Sequence, residues 1–182
     1  MGRLHHLIIG WQHGFPQTPL PWIRAPLLKR LEIRPRTESS RVYMARTMRK
    51  LFKPTPGVIY QLSPRTLNLW FPLATDGLRK VLYKNSLIQH LAFMPDHREP
   101  GPDVFLAKML TEVTTHVDEP NDWRYCPSLV TLHIVLNWNS KDMQHWLHSS
   151  RQIIESRESG CLQSIRVVWA DSREIEIQSR DM

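Results

Sequence analysis

The side chains best suited to chemistry are three potential metal ligands on one predicted helix, Asp142, His145 and His148. Groups about one helical turn apart share a face and could hold a metal ion together. A solvated polar face explains the same spacing, and we favour it, so no metal site is predicted. The sequence contains no GxSxG, HExxH, GxxxxGK[ST] or GxGxxG pattern. We therefore expect no catalytic residues, no cofactor and no enzymatic activity.

The cysteines and the hydropathy pattern indicate a compartment. Cys126 and Cys161 stand far apart without a CxxC motif, which argues against a structural zinc site. Two unpaired thiols in a reducing compartment are favoured over one disulfide. No apolar run reaches the roughly 18 residues of a membrane span, and the first residues make a poor signal peptide. We expect a cytoplasmic or nuclear protein, without membrane contact and monomeric.

Charge is distributed unevenly along the chain. Residues 1–84 hold 15 Lys or Arg and 3 Asp or Glu, a formal +12, whereas residues 85–182 hold 9 and 14, a formal −5, which together give the net +7. Within the basic run 24–53, a predicted helix carries a candidate basic patch formed by Arg41, Arg46, Arg49, Lys50 and Lys53. A solvated face or a docking site for an acidic protein is favoured here. Binding of nucleic acid or an anionic surface is the alternative, and we do not expect nucleic acid.

A six-residue phrase recurs along the sequence, with apolar residues at its first, fourth and sixth positions. Clear copies occur in LLKRLEI and PSLVTLHI. The fourth and sixth positions would face one side of a β-strand, and the first would anchor the incoming turn. One such strand cannot bury its apolar face alone, whereas stacked copies bury a shared core. The phrase predicts strands near 4–9, 28–33, 65–70, 88–93, 129–134 and 162–168.

The segments between the phrases show helical spacing. The clearest is DVFLAKMLTEVTTHV, with an apolar stripe that starts at Phe105 and with Asp103 as a candidate N-cap. Strands that alternate with helices indicate a parallel sheet with helices on one side. We predict an α/β fold, an irregular leucine-rich-repeat solenoid of about six repeats in one domain, residues 1–182. An ordinary doubly wound α/β domain is the alternative.

Residues between the anchors would point away from the helices and line a concave face. Large apolar or aromatic side chains on such a face are typical binding anchors, which singles out Trp70 and Met94. Arginines there could pair with carboxylates of a partner. A register shifted by one residue would instead place Trp70 in the core. The candidate partner-binding residues are Arg30, Glu32, Arg34, Asn68, Trp70, His90, Met94, His133 and Arg166.

Several strings resemble the repeat region of fungal F-box proteins with leucine-rich-repeat-like repeats. PWIRAPLLKRLEI resembles a phrase common in that region, and CPSLVTLHI, DMQHWLHSSRQIIESR and LQSIRVVW resemble its last repeats. In that family the repeats bind a target protein, and a separate N-terminal F-box binds the adaptor of a cullin-based ubiquitin ligase. The resemblance implies recognition of a protein target, here unidentified, for such a ligase. Adaptor binding is expected only if an F-box lies upstream, because this sequence contains none and its first repeat starts at Leu4.

Overall fold

Seven β-strands form one open sheet in which the strands follow the order of the chain. A computed structural model describes residues 4–11, 27–35, 64–73, 75–83, 87–112, 124–136, 138, 143–157 and 160–179. The strands are β1 (His6–Trp11), β2 (Arg30–Pro35), β3 (Thr66–Leu73), β4 (His90–Pro95), β5 (Thr131–Val135), β6 (Ser164–Val168) and β7 (Glu174–Gln178). The helices of the described residues are α1 (Thr75–Tyr83), α2 (Pro102–Thr111) and α3 (Met143–Ser156).

The first six strands run parallel, and β7 returns antiparallel to β6. The fourth positions of the phrase pair across the parallel strands, as do the sixth positions. The fourth positions are Leu7, Leu31, Leu67, Leu91, Leu132 and Ile165, and the sixth positions are Ile9, Ile33, Leu69, Phe93, Ile134 and Val167. The predicted α/β class with a mostly parallel sheet is therefore confirmed.

The core lies between the paired anchors and the three helices. The anchors of β2 to β6 are buried, and they form one cluster with Leu78 of α1, Leu110 of α2 and Ile153 of α3. The first positions of four phrases lie two residues before their strands and are also buried, so these four strands start two residues later than predicted. They are Leu28, Ile88, Leu129 and Leu162. The face of the sheet opposite the helices carries mostly polar side chains.

Strand β3 contains an irregularity that positions one aromatic residue. The register with β4 shifts between Leu69 and Pro72, as proline in a strand often accompanies a bulge. Phe71 and Leu73 remain buried in the core. Trp70 contacts side chains on the opposite face of the sheet. The predicted register is thus the observed one at Trp70, which lies outside the core.

The start of α2 differs from the expectation for Asp103. The N-cap is Gly101, with a left-handed φ of 57°, and Pro102 is the first helical residue. Asp103 lies in the first turn, is buried, and accepts a hydrogen bond of 3.2 Å from Ser149 of α3. The carboxylate therefore joins two helices instead of capping one, and its prediction as an N-cap is wrong.

A buried arginine joins α3 to the segment before β5. Arg157 is 1% exposed and donates hydrogen bonds to the carbonyl oxygens of Leu110, Tyr125 and Cys126 at 2.6 to 2.8 Å. Burial lowers its pKa to about 10, so the guanidinium stays charged at neutral pH. Cys126 has a left-handed φ of 47°, a conformation that this contact helps to hold.

Candidate functional site

The outward side chains of β1 to β7 form what we call the polar face. It is centred on one row across the sheet, set by the strand register. That row contains Ile8, Glu32, Asn68, Ala92, His133, Arg166 and Glu176. A second row lies two residues nearer the starts of the parallel strands. It contains His6, Arg30, Thr66, His90, Thr131, Ser164 and Gln178. Parallel pairing therefore brings side chains distant in sequence onto one surface.

A carboxylate on β2 organises one end of this face. Glu32 is 1% exposed, whereas its neighbours Arg30 and Arg34 are 48% and 59% exposed. Arg30 donates to Oε2 of Glu32 at 3.3 Å, and Arg34 donates to Oε1 through Nε. The two arginines are two residues either side of Glu32 on the same strand, so all three side chains share a face. They cover the carboxylate from solvent.

The indole of Trp70 completes the shell of Glu32. Its Nε1 donates to Oε1 of Glu32 at 2.8 Å, from strand β3 to strand β2. Burial alone would raise the pKa of Glu32. The hydrogen bonds from Arg34 and Trp70 and the charges of both arginines outweigh that effect and hold the pKa of Glu32 below its ordinary value. The carboxylate is therefore ionised at neutral pH.

The same indole extends toward the centre of the face. The rings of Trp70 and His133 meet edge to face, with centroids 6.2 Å apart. Trp70 is on β3 and His133 is on β5. Ala92 of β4, the strand between them, carries the smallest side chain of its row. Burial, and then the charge of Arg166, lowers the pKa of His133 below its ordinary value. His133 is thus neutral at physiological pH.

Hydrogen bonds continue across the rest of the polar face. His90 Nδ1 lies 2.9 Å from the hydroxyl of Thr131 on the next strand. Arg166 of β6 donates through two nitrogens to Glu174 Oε2 of β7, at 2.5 and 3.2 Å. Nε2 of His133 has no hydrogen-bond partner among the described residues. The face therefore holds ordered polar groups from β2 through β7.

The structure places all nine candidate residues on the polar face, but with unequal exposure. Met94, Asn68 and Glu32 are buried, so their side chains offer little surface to a partner. In the amide orientation that satisfies both groups, Asn68 accepts a hydrogen bond from Arg30 at 3.2 Å. The exposed members are Arg30, Arg34, His90 and Arg166, and the partly exposed members are Trp70 and His133. The surface available to a partner is consequently smaller than the nine residues predicted from sequence would provide.

Sequence reasoning missed two participants, Thr131 and Glu174. Thr131 is not among the nine residues predicted from sequence, and Glu174 is the first residue of the alternating stretch EIEIQ. The signal for Glu174 is the antiparallel return of β7, which sets Glu174 opposite Val168, beside Arg166. Thr131 stands 41 residues from its partner His90, whereas Glu174 stands 8 residues from Arg166, across the turn between β6 and β7.

Other candidates from the sequence lie elsewhere. The basic patch of Arg41, Arg46, Arg49, Lys50 and Lys53 falls outside the described residues, as does Asp142. His145 and His148 are exposed on α3, and no cluster of three potential metal ligands is found in the described residues. Cys126 is buried and Cys161 is exposed, both as free thiols, and burial raises the pKa of Cys126 to about 12. No helix of the described part is long and apolar enough to cross a membrane.

Comparisons with models of protein families, with curated proteins and with solved structures found no match.

Proposed function

We propose that the chain is a non-enzymatic protein-interaction module that binds its target through the polar face. The observation that carries the proposal is the ordered group of Arg30, Glu32, Arg34 and Trp70. Binding anchors are commonly aromatic and arginine side chains near the centre of a contact surface. Here one buried carboxylate holds an indole and two guanidinium groups before any partner arrives. Side chains that are already ordered lose less entropy on binding.

The order of the strands supports an extension of this proposal to a leucine-rich-repeat solenoid. Six parallel strands in chain order, with the fourth and sixth positions of the phrase in register, are typical of stacked repeats. Repeat proteins of this kind commonly use the sheet face away from the helices to bind. The resemblance to F-box proteins adds the proposal that the target is delivered to a ubiquitin ligase. Adaptor binding would require an F-box upstream of these repeats.

Site-specific photo-crosslinking tests the proposal. A benzoylphenylalanine is placed at Thr131, in the second row of the polar face, or at Tyr83, which is exposed on the helix side. Each protein is irradiated in lysate of the source organism, and crosslinked proteins are identified by mass spectrometry. We expect at least one protein to be enriched about tenfold at position 131 relative to position 83, as a contact surface of limited area requires.

Equal crosslinking at both positions, or enrichment at position 83 alone, would contradict binding through the polar face. Both variants must unfold at the temperature of the parent protein, so that crosslinking reports on the folded sheet. Retention of the parent chain by a polyanion, with loss on charge reversal at Arg46 and Arg49, would instead support the basic patch as the binding element.

A further inference from the structure

The two ends of the polar face carry opposite net charge. At β2, Arg30 and Arg34 share the single carboxylate of Glu32, which leaves one excess positive charge. The negative group is also the buried one, so the solvent side presents guanidinium groups. Each guanidinium has five N–H donors, and Arg34 contacts Glu32 through its Nε. A carboxylate arriving from solvent therefore meets outward donors before it meets Glu32.

At the β6–β7 end the balance reverses. Arg166 is paired with Glu174, and Glu176 stands directly opposite Arg166 on the antiparallel strand. Two carboxylates against one guanidinium leave one excess negative charge, and both glutamates are exposed. Strands β2 and β7 are five strand spacings apart, which is about 24 Å at roughly 4.8 Å each. An extended segment of about seven residues spans that distance.

We propose that the polar face binds an extended segment of a partner protein whose acidic end lies over Arg30 and Arg34 and not over β7. This inference rests on the proposed function and specifies the chemistry of the partner. Trp70, ordered between Glu32 and His133, provides an aromatic contact next to the acidic end. Carboxylate–guanidinium pairs beside a partly desolvated ring are stronger than pairs in open solvent.

The polarity of the face also favours protein over nucleic acid as the partner. A nucleic acid is negative along its whole length, so a strand that crosses the sheet would meet Glu174 and Glu176. A protein segment can place carboxylates at one end and neutral or basic groups at the other. Along the described strands, the outward residues supply three arginines, Arg30, Arg34 and Arg166, fewer cations than proteins that track a phosphate backbone use.

Peptide selection tests the inference. A displayed library of random peptides of about twelve residues, long enough to span the face, is selected against the full chain. Selected peptides are synthesised, and their affinities are measured by fluorescence anisotropy at physiological salt. We expect acidic peptides, and we expect Arg34→Gln to weaken them about tenfold. Arg34→Lys should retain most of the affinity because it keeps the charge. The matched control Arg151→Gln removes an exposed charge from α3 and should change affinity less than about twofold.

Further variants separate failure of this inference from failure of the proposed function. Trp70→Ala removes the aromatic contact of the polar face without changing its charge and should weaken binding at least about tenfold. Neutral or basic peptides that Trp70→Ala weakens, but Arg34→Gln does not weaken, would overturn the acidic partner and leave the binding face standing. A selection that yields no peptide sensitive to Trp70→Ala would overturn both. A labelled single-stranded DNA that binds more tightly than the selected peptides, and loses that affinity in Arg34→Gln, would overturn the choice of a protein partner.

Discussion

Two charged groups in this protein are equally covered from solvent, yet they organise different regions. Arg157 and Glu32 are each 1% exposed. Arg157 donates to three backbone carbonyls, all of them inside the fold, and joins α2, α3 and the segment before β5. Glu32 accepts from side chains that themselves reach the surface, Arg30, Arg34 and Trp70. A buried charge stabilises the backbone in the first region and orders a surface in the second.

The difference follows from what each group contacts. Carbonyl oxygens fixed in a helix end and a loop cannot find other partners without unfolding, so loss of the Arg157 guanidinium leaves buried acceptors unpaired. Arg30 and Arg34 can turn to solvent when Glu32 is changed, because their side chains are already 48% and 59% exposed. Stability should therefore depend strongly on Arg157, whereas surface order should depend on Glu32.

Arg157→Met should give the largest loss of stability. It keeps most of the buried volume but removes the donors to Leu110, Tyr125 and Cys126. We expect the free energy of unfolding to fall by about 3 to 5 kcal/mol, measured by urea denaturation followed by circular dichroism. Arg151→Met, an exposed position on α3, is the matched control and should change it by less than about 0.5 kcal/mol. A loss below about 1 kcal/mol for Arg157→Met would show that other groups satisfy these carbonyls.

Glu32→Gln should have a smaller effect on stability, about 1 kcal/mol at neutral pH, because its charged partners are largely exposed. The amide oxygen can still accept from Trp70, so the loss reports on the charge. The folded-state pKa of Glu32 lies below its ordinary value of about 4.3. The charge therefore stabilises the fold above that value, and this contribution is lost as the pH falls through the folded pKa.

Unfolding of the parent protein and of Glu32→Gln, measured at a series of pH values, checks this sign. The difference between the two proteins should be constant near neutral pH and shrink below about pH 4. If the stability lost on Glu32→Gln instead grows as the pH falls, the folded-state pKa of Glu32 lies above its ordinary value, contrary to the contacts with Arg30 and Arg34.

The sheet could be predicted because the phrase itself contains the physical rule that builds it. Leu31 and Ile33 alternate along a strand, and their equivalents Leu67 and Leu69 must face the same helices, so register follows from pattern. The outward positions followed from the same rule, which is why Trp70 could be placed outside the core. Helix spacing likewise located α2, although not the residue that caps it.

The network on the polar face could not be predicted, since it depends on contacts between strands. Nothing near Glu32 in sequence indicates that Trp70, 38 positions later, donates to it. Met94 is predicted as a binding anchor because a large apolar side chain on an exposed sheet face is typical of one, but in the structure it is buried, on the strand position opposite Pro72. Arg157 stands at the end of a helix, where a basic residue is common, and only the packing of α2 shows that it is buried.

The most direct test of the central claim is the affinity of a partner, identified by crosslinking at position 131, for Trp70→Ala. Isothermal titration calorimetry with the parent protein gives the reference Kd. If the ordered indole is a binding anchor, Trp70→Ala should raise the Kd at least about tenfold, and Tyr83→Ala, which removes an exposed aromatic ring on the helix side, should leave it within about twofold. An unchanged Kd in a folded Trp70→Ala protein would contradict the account.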